Sequence, residues 1–131
     1  MTELTATDVE LLRGANYAML ATINGDGTLH SSVVWIDADA GHVVFNTAEG
    51  RVKDRNVRRD PRVSVTVVDG ADWYRWIAIA GEVVERRTGR DADAHIDELS
   101  RRYDGTPWTP TPGQVRVRYA VRPVRVRRYP R

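Results

Sequence analysis

The 131-residue chain has no cysteine. That single absence removes disulfide cross-links, thiolate nucleophiles and cysteine-ligated zinc. Histidine is scarce. His30, His42 and His95 fall on three separate segments, and neither HExxH, GxSxG nor GxxxxGK[ST] occurs. Metal chemistry, hydrolysis and nucleotide phosphoryl transfer are therefore left without a motif. No apolar run approaches the roughly 18 residues that span a bilayer. The opening Met1–Asp8 is polar and carries Glu3 and Asp8, unlike a secretory leader. The expectation is a cytoplasmic protein with no membrane partner. Lysine is almost missing as well: of 20 basic residues only Lys53 is lysine, the others being arginine.

The length suits one domain, residues 1–131, with a core that needs no structural metal. Hydrophobic residues make up 41%, as in globular proteins. The net charge is only +2, but Val115–Arg131 holds seven arginines and no acid. In Val115-Arg116-Val117-Arg118 the two residue types alternate, the pattern of a half-buried strand with its arginines in solvent. Aromatic residues are sparsely interleaved there, so base stacking has little to work with. No nucleic-acid partner is expected.

The periodicities predict a mostly β chain. Thr7-Asp8-Val9-Glu10 has capping-box spacing and opens a short helix over 7–13. Tyr17–Ile23 is an apolar strand, followed by the hairpin signal Asn24-Gly25-Asp26-Gly27. Leu29–Ile36 returns, Asp37–Gly41 turns, and His42–Asn46 makes a third strand. Asp37 and Asp39 read as turn chemistry rather than a catalytic pair. A polar segment, Glu49–Asp60, fits a short helix ended by Pro61. Val63, Val65 and Val67 then alternate through a fourth strand. The long strand Trp73–Arg86 carries Gly81, which suggests a bulge. Thr88 begins a helix whose apolar positions are Ala92, Ile96, Leu99 and Tyr103. The proline-containing loop 104–114 carries Trp108, and two closing strands flank Pro123. Hairpins dominate and the helices are short, so the fold class is a β-barrel with peripheral helices.

The chemistry concentrates in Phe45–Arg62. A strand ends in Asn46-Thr47, a glycine turn follows, and a basic helix begins. Arg51 and Lys53 sit in the helix's first turn, where positive charge opposes the macrodipole. An anion bound there removes the conflict. The run Asn46-Thr47-Ala48-Glu49-Gly50-Arg51-x-Lys53, then Arg55-Asn56-x-Arg58-Arg59-Asp60-Pro61-Arg62-Val63, resembles the pyridoxamine 5'-phosphate-oxidase-like split-barrel flavoproteins. It is most similar to their branch that uses the deazaflavin coenzyme F420. The likeness extends to Ala21–Gly27, Val34-Trp35 and Ile79–Val83.

The resemblance implies an FMN-binding-like split β-barrel and a homodimer, with the cofactor held between two barrels. Arg51 and Lys53 would hold the cofactor phosphate. Asn46, Thr47 and Asn56 would add neutral hydrogen bonds, and Ser32 would face the ring. Trp73 and Trp76 would reach in from the other subunit. Relatives carry Thr-Pro where this chain has Ser31-Ser32-Val33. The activity implied is hydride transfer from reduced F420 to a conjugated small-molecule acceptor, with an FMN enzyme or a non-catalytic carrier as the alternatives. No catalytic residue is assigned, and His30 and Tyr74 are the polar candidates for a proton donor.

Overall fold

Alternating valines and polar residues give six antiparallel strands in the computed structural model, which describes residues 3–130. Met1, Thr2 and Arg131, the last of the C-terminal arginines, lie outside the described residues. The strands are β1 (Tyr17–Ile23), β2 (Leu29–Asp39), β3 (His42–Ala48), β4 (Arg62–Asp69), β5 (Asp72–Arg87) and β6 (Arg116–Tyr129). They close into a barrel in the order β1-β2-β3-β6-β5-β4, and β4 returns to pair with β1. Val63, Val65 and Val67 point inward from β4, where Leu20, Phe45, Ile79 and Tyr119 meet them. Each fully buried side chain of this size contributes about 1.5–3 kcal/mol. Three helices lie outside: α1 (Ala6–Arg13), α2 (Val52–Arg59) and α3 (Arg90–Tyr103). The mostly β barrel with short peripheral helices is thus present.

Several boundaries differ from the sequence expectation. The N-cap of α1 is Thr5 rather than Thr7. Its hydroxyl accepts from the Asp8 backbone N–H at 3.2 Å, and the Asp8 carboxylate accepts from the Thr5 N–H at 2.8 Å. Asp8 thereby takes the capping-box role that the sequence suggests for Glu10. Helix α3 is preceded by Gly89 at φ +71°, not capped by Thr88. Strand β2 continues through Asp39, and the turn consists of Ala40 and Gly41 at φ +49° and +81°, the all-positive geometry of a tight hairpin. Asp37 is therefore a buried strand residue rather than turn chemistry. Strand β6 runs unbroken through Pro123, which pairs with Gly81 where the β5–β6 register shifts. A ladder interrupted by a bulge tolerates the missing proline N–H. Gly81 has a steric reason: a Cβ there would meet Val121 Cγ1 at 2.5 Å and the Arg122 carbonyl oxygen at 2.7 Å.

Each helix is tied to the barrel by one buried aspartate. Asp8 of α1 accepts from Arg128 Nε at 2.8 Å and Nη2 at 2.6 Å, fixing α1 to β6. Asp54 of α2, 0% exposed, accepts from the Tyr119 hydroxyl on β6. Asp37 of β2 meets α3 through Arg102 Nη1 at 2.9 Å and His95 Nε2 at 3.1 Å. Burial alone would raise the Asp37 pKa, but the hydrogen bonds from His95 and Arg102 outweigh it and hold the carboxyl at about 2.

Two outcomes follow. A carboxyl depressed below its unfolded value stabilises the fold above the unfolded pKa and ceases to do so as pH falls through the folded one. Asp37 therefore contributes about 2 kcal/mol above pH ~4 that is lost toward pH ~2. Urea unfolding across that range should show this loss in the wild type and a flatter curve in Asp37→Asn. Gly81→Ala should destabilise by about 1–3 kcal/mol through overpacking at the bulge, measured as a lower urea midpoint at unchanged slope.

Candidate functional site

Pairing between β2 and β3 ends at Ile36 and Phe45. Beyond that point β2 from Trp35 back to Leu29 pairs only with β1, and β3 from Asn46 onward pairs only with β6. The divergence leaves room for a cleft of about 350 Å³ on the outer side of the barrel, roofed by α3 and the 104–114 loop. Its apolar wall includes Tyr17, Val33, Trp35 and Trp108, and its polar wall is Asn46, Arg51, Lys53 and Arg116. Trp35 stacks on Tyr103 of α3 with centroids 5.3 Å apart and planes 13° from parallel, which fixes the indole against the helix. Trp108, left unplaced by the sequence, is half-buried in this wall, its backbone N–H donating to Asp97 Oδ1 at 3.0 Å.

The three cations of the polar wall have no carboxylate within ion-pair distance among the described residues. Arg51 is the N-cap of α2, and its guanidinium, which only donates, cannot cap the N–H groups of the helix end. Lys53 is lowered from its ordinary value by burial and by the charges of Arg51 and Arg116. Arg116 is only 7% exposed. Burial first, and then Arg51, push its pKa down to about 10, with Asp93 acting in the opposite direction. Its side-chain partners are neutral: Nε donates to Asn46 Oδ1 at 3.0 Å and Nη1 to Gln114 Oε1 at 3.3 Å. A buried cation without a counter-charge is costly. With the exposed Arg51 and the half-buried Lys53 beside it, the buried Arg116 forms a receptor for an anion.

Asp54 holds the cradle from below. Its Oδ2 accepts from the Gly50 backbone N–H at 2.9 Å, while its Oδ1 accepts from Tyr119. This ties the turn that presents Arg51 to the barrel wall. Burial and the bond to Asp54 push the Tyr119 hydroxyl up to about 12, so it remains a donor at any working pH.

The structure brings Asn46, Arg51 and Lys53 together in the cleft. Thr47 and Ser32 do not line the cleft: each carries a buried hydroxyl oxygen with no hydrogen-bond partner, on the strand face opposite to that of the lining residues Asn46 and Val33. Asn46 is already engaged: besides Arg116, its Nδ2 donates to the Ala92 carbonyl at 3.0 Å. Asn56 lies on the buried side of α2, donating to Thr22 Oγ1 at 3.0 Å and Asn24 Oδ1 at 2.9 Å. It joins α2 to the first hairpin and does not line the cleft. Trp73 is 78% exposed. Trp76 stacks on Tyr129, with centroids 5.9 Å apart, beside a different cavity. Neither tryptophan reaches the cleft of its own chain. His30 Nδ1 is buried without a partner, and Tyr74 is exposed.

Sequence reasoning missed Arg116, His95 and Asp54. Strand alternation assigned Arg116 to solvent, whereas α3 and the following loop bury it. His95 falls three residues after Ala92 on the apolar face of α3, and that position was its available signal. Of the other C-terminal arginines, Arg118 pairs with Asp39 and Glu85, Arg122 with Glu82, and Arg128 with Asp8.

The comparisons with known proteins agree with this geometry. A structure described as an F420 reductase superposes with a TM-score of 0.79 at 31% identity, covering 90% of this chain and 94% of that one. The conserved hypothetical protein Rv2991 from Mycobacterium tuberculosis gives 0.73 at 26% identity, covering 96% and 84%. HupZ from Group A Streptococcus gives 0.68 at 14% identity, covering 95% and 94%, a likeness of fold alone. No curated protein sequence matches the chain. The family model described as pyridoxamine 5'-phosphate oxidase matches residues 4–127, and with the split between β2 and β3 and the cation-lined cleft beside it, the chain belongs to the pyridoxamine 5'-phosphate-oxidase-like family of split barrels, in the branch marked by its likeness to the F420 reductase.

Proposed function

We propose that the protein is an F420-dependent oxidoreductase that reduces a conjugated small-molecule acceptor. The observation that carries this reading is the convergence of Arg51, Lys53 and the buried Arg116 without a carboxylate partner. The donor set fits a phosphate-bearing, acidic cofactor. Two guanidiniums offer paired N–H donors and one ammonium adds a point charge. When bound, the reduced deazaflavin supplies the hydride.

The chain's own residues bind, orient and exclude water. Arg51, Lys53 and Arg116 neutralise the phosphate, and the apolar wall of Val33, Trp35 and Trp108 shields the reacting side of the cleft from solvent. No side chain is assigned as proton donor, since neither His30 nor Tyr74 lines the cleft.

A homodimer completes the reading. Met19, Leu29 and Val33 are all more than half exposed on the outer faces of β1 and β2, and Met19 and Val33 are cross-strand partners. Apolar side chains clustered this way suit a second copy. Trp73, exposed on its own barrel, would then pack near the partner's cleft.

Fluorescence titration with F420 and, separately, FMN tests the proposal. Saturable binding of F420 at micromolar concentration or tighter, with none of FMN, is the expected result. Tight FMN binding alone makes the protein an FMN-binding relative, and binding of neither removes the cofactor reading. F420 binding with no turnover across a panel of conjugated acceptors would identify a carrier. Lys53→Ala should weaken binding about tenfold, as loss of one charge-assisted contact does. Arg116→Met should weaken binding comparably, yet raise the stability of the ligand-free protein by about 1 kcal/mol, because it removes a buried unpaired charge. Calorimetric unfolding with and without cofactor separates the two effects.

A further inference from the structure

Arg116 is held in the cleft by a hydrogen-bonded chain that starts on the far side of α3. Arg102 Nη1 donates to Asp37 Oδ1 at 2.9 Å. Asp37 Oδ2 meets His95 Nε2 at 3.1 Å, His95 Nδ1 meets Asn46 Nδ2 at 3.1 Å, and Asn46 Oδ1 accepts from Arg116 Nε at 3.0 Å. The direction of every link is determined. The Ala92 carbonyl can only accept, and it lies 3.0 Å from Asn46 Nδ2; the Arg116 Nε–H can only donate. The Asn46 nitrogen must therefore face His95, and His95 Nδ1 must accept. The imidazole proton sits on Nε2 and is donated to the Asp37 carboxylate.

We infer that His95 is a positioning residue for Arg116: its neutral ring fixes the Asn46 amide so that an oxygen faces the guanidinium, and a second ring proton releases it. A proton on Nδ1 would confront the Asn46 N–H with another N–H. Turning the amide to satisfy the ring would present its nitrogen to Arg116 Nε–H and lose two bonds at once, those to Arg116 and to Ala92. The anion receptor would lose its anchored member without any change in the cations themselves.

Charged groups face His95 from several elements. The cavity on its outer side, about 460 Å³, is bordered by the carboxylates Asp37, Asp39, Asp91 and Glu98 from β2 and α3. Facing them are the guanidiniums Arg13, Arg87, Arg102 and Arg118 from α1, β5, α3 and β6. The two signs are equal in number around the cavity, and the carboxylates of Asp37 and Glu98 lie within 4.8 Å of a His95 ring nitrogen. Inside, Asp37 is the carboxylate bonded to His95 among the described residues, and it is shared with Arg102 and, at 3.7 Å, Arg13. On the cleft side, the cations Arg51, Lys53 and Arg116 stand with Asn46 in the polar wall.

The test begins without ligand, so that it does not depend on the cofactor reading. In arginine-selective ¹H–¹⁵N spectra the Arg116 Nε–H signal, assigned by its loss in Arg116→Lys, should exchange slowly at neutral pH. It should be lost in acid with the same midpoint as the His95 ring nitrogens. His95→Asn places an amide oxygen near the position of Nδ1 and does not titrate. Its Arg116 signal should persist through that range, whereas Asn46→Ala should lack it throughout. The ring nitrogens of wild-type His95 should report a single proton on Nε2 at neutral pH.

A ring that does not titrate in the folded protein, an Arg116 signal indifferent to that titration, or a wild-type midpoint retained in His95→Asn overturns the proposal. The second measurement rests on the proposed function: F420 affinity should fall about tenfold across the same titration in wild type and stay level in His95→Asn. Failure of F420 to bind while the ligand-free coupling is seen removes the cofactor reading and supports the positioning role. Binding that is strong but insensitive to His95 does the reverse.

Discussion

Every helix in this protein is secured by a carboxylate that has left water. Asp8, Asp37 and Asp54 are each buried, and each has an arginine or tyrosine from another element as its partner. Removing one member of such a pair leaves the other buried and unsatisfied, which costs about 3–5 kcal/mol for a charged group. The helices are too short to persist alone, so their placement is delegated to these contacts and to the apolar residues beneath them. The cleft inherits that dependence. Its floor turn is held by Asp54, and its roof helix by Asp37.

Against these satisfied carboxylates the cleft stands out as the place where charge is left uncompensated. Arg116 is almost fully buried and faces only amide oxygens, and burial together with the charge of Arg51 lowers its proton affinity. Elsewhere arginines either meet carboxylates, as Arg118, Arg122 and Arg128 do, or stand in solvent, as Arg125 and Arg127 do. A guanidinium that is buried, faces no carboxylate and has two further cations beside it argues for a ligand.

Much of this was legible in the sequence, and the exceptions have physical causes. The valine alternation of β4, the hairpin at Asn24–Gly27 and the bulge at Gly81 are local signals, and each appears where it was read. Asp37 was misread because residue type alone suggests a turn; the strand continues to Asp39 because a two-residue turn at Ala40-Gly41 suffices to reverse it. Pro123 was read as a break because its partner, Gly81, is 42 positions away in sequence. Arg51 and Lys53 were found through the order of residues around them. Arg116 was not, because its burial depends on α3 and a loop that sequence periodicity places nowhere.

The lone lysine has a practical side. Lys53 carries the chain's one ε-amino group, and that amine sits in the cleft with its proton affinity reduced by burial and two neighbouring guanidiniums. A larger share of it is uncharged, and hence nucleophilic, than of an ordinary surface lysine. Acylating reagents that normally decorate a protein at many side chains would here find one lysine, so the composition has supplied a built-in chemical handle on the occupancy of the cleft.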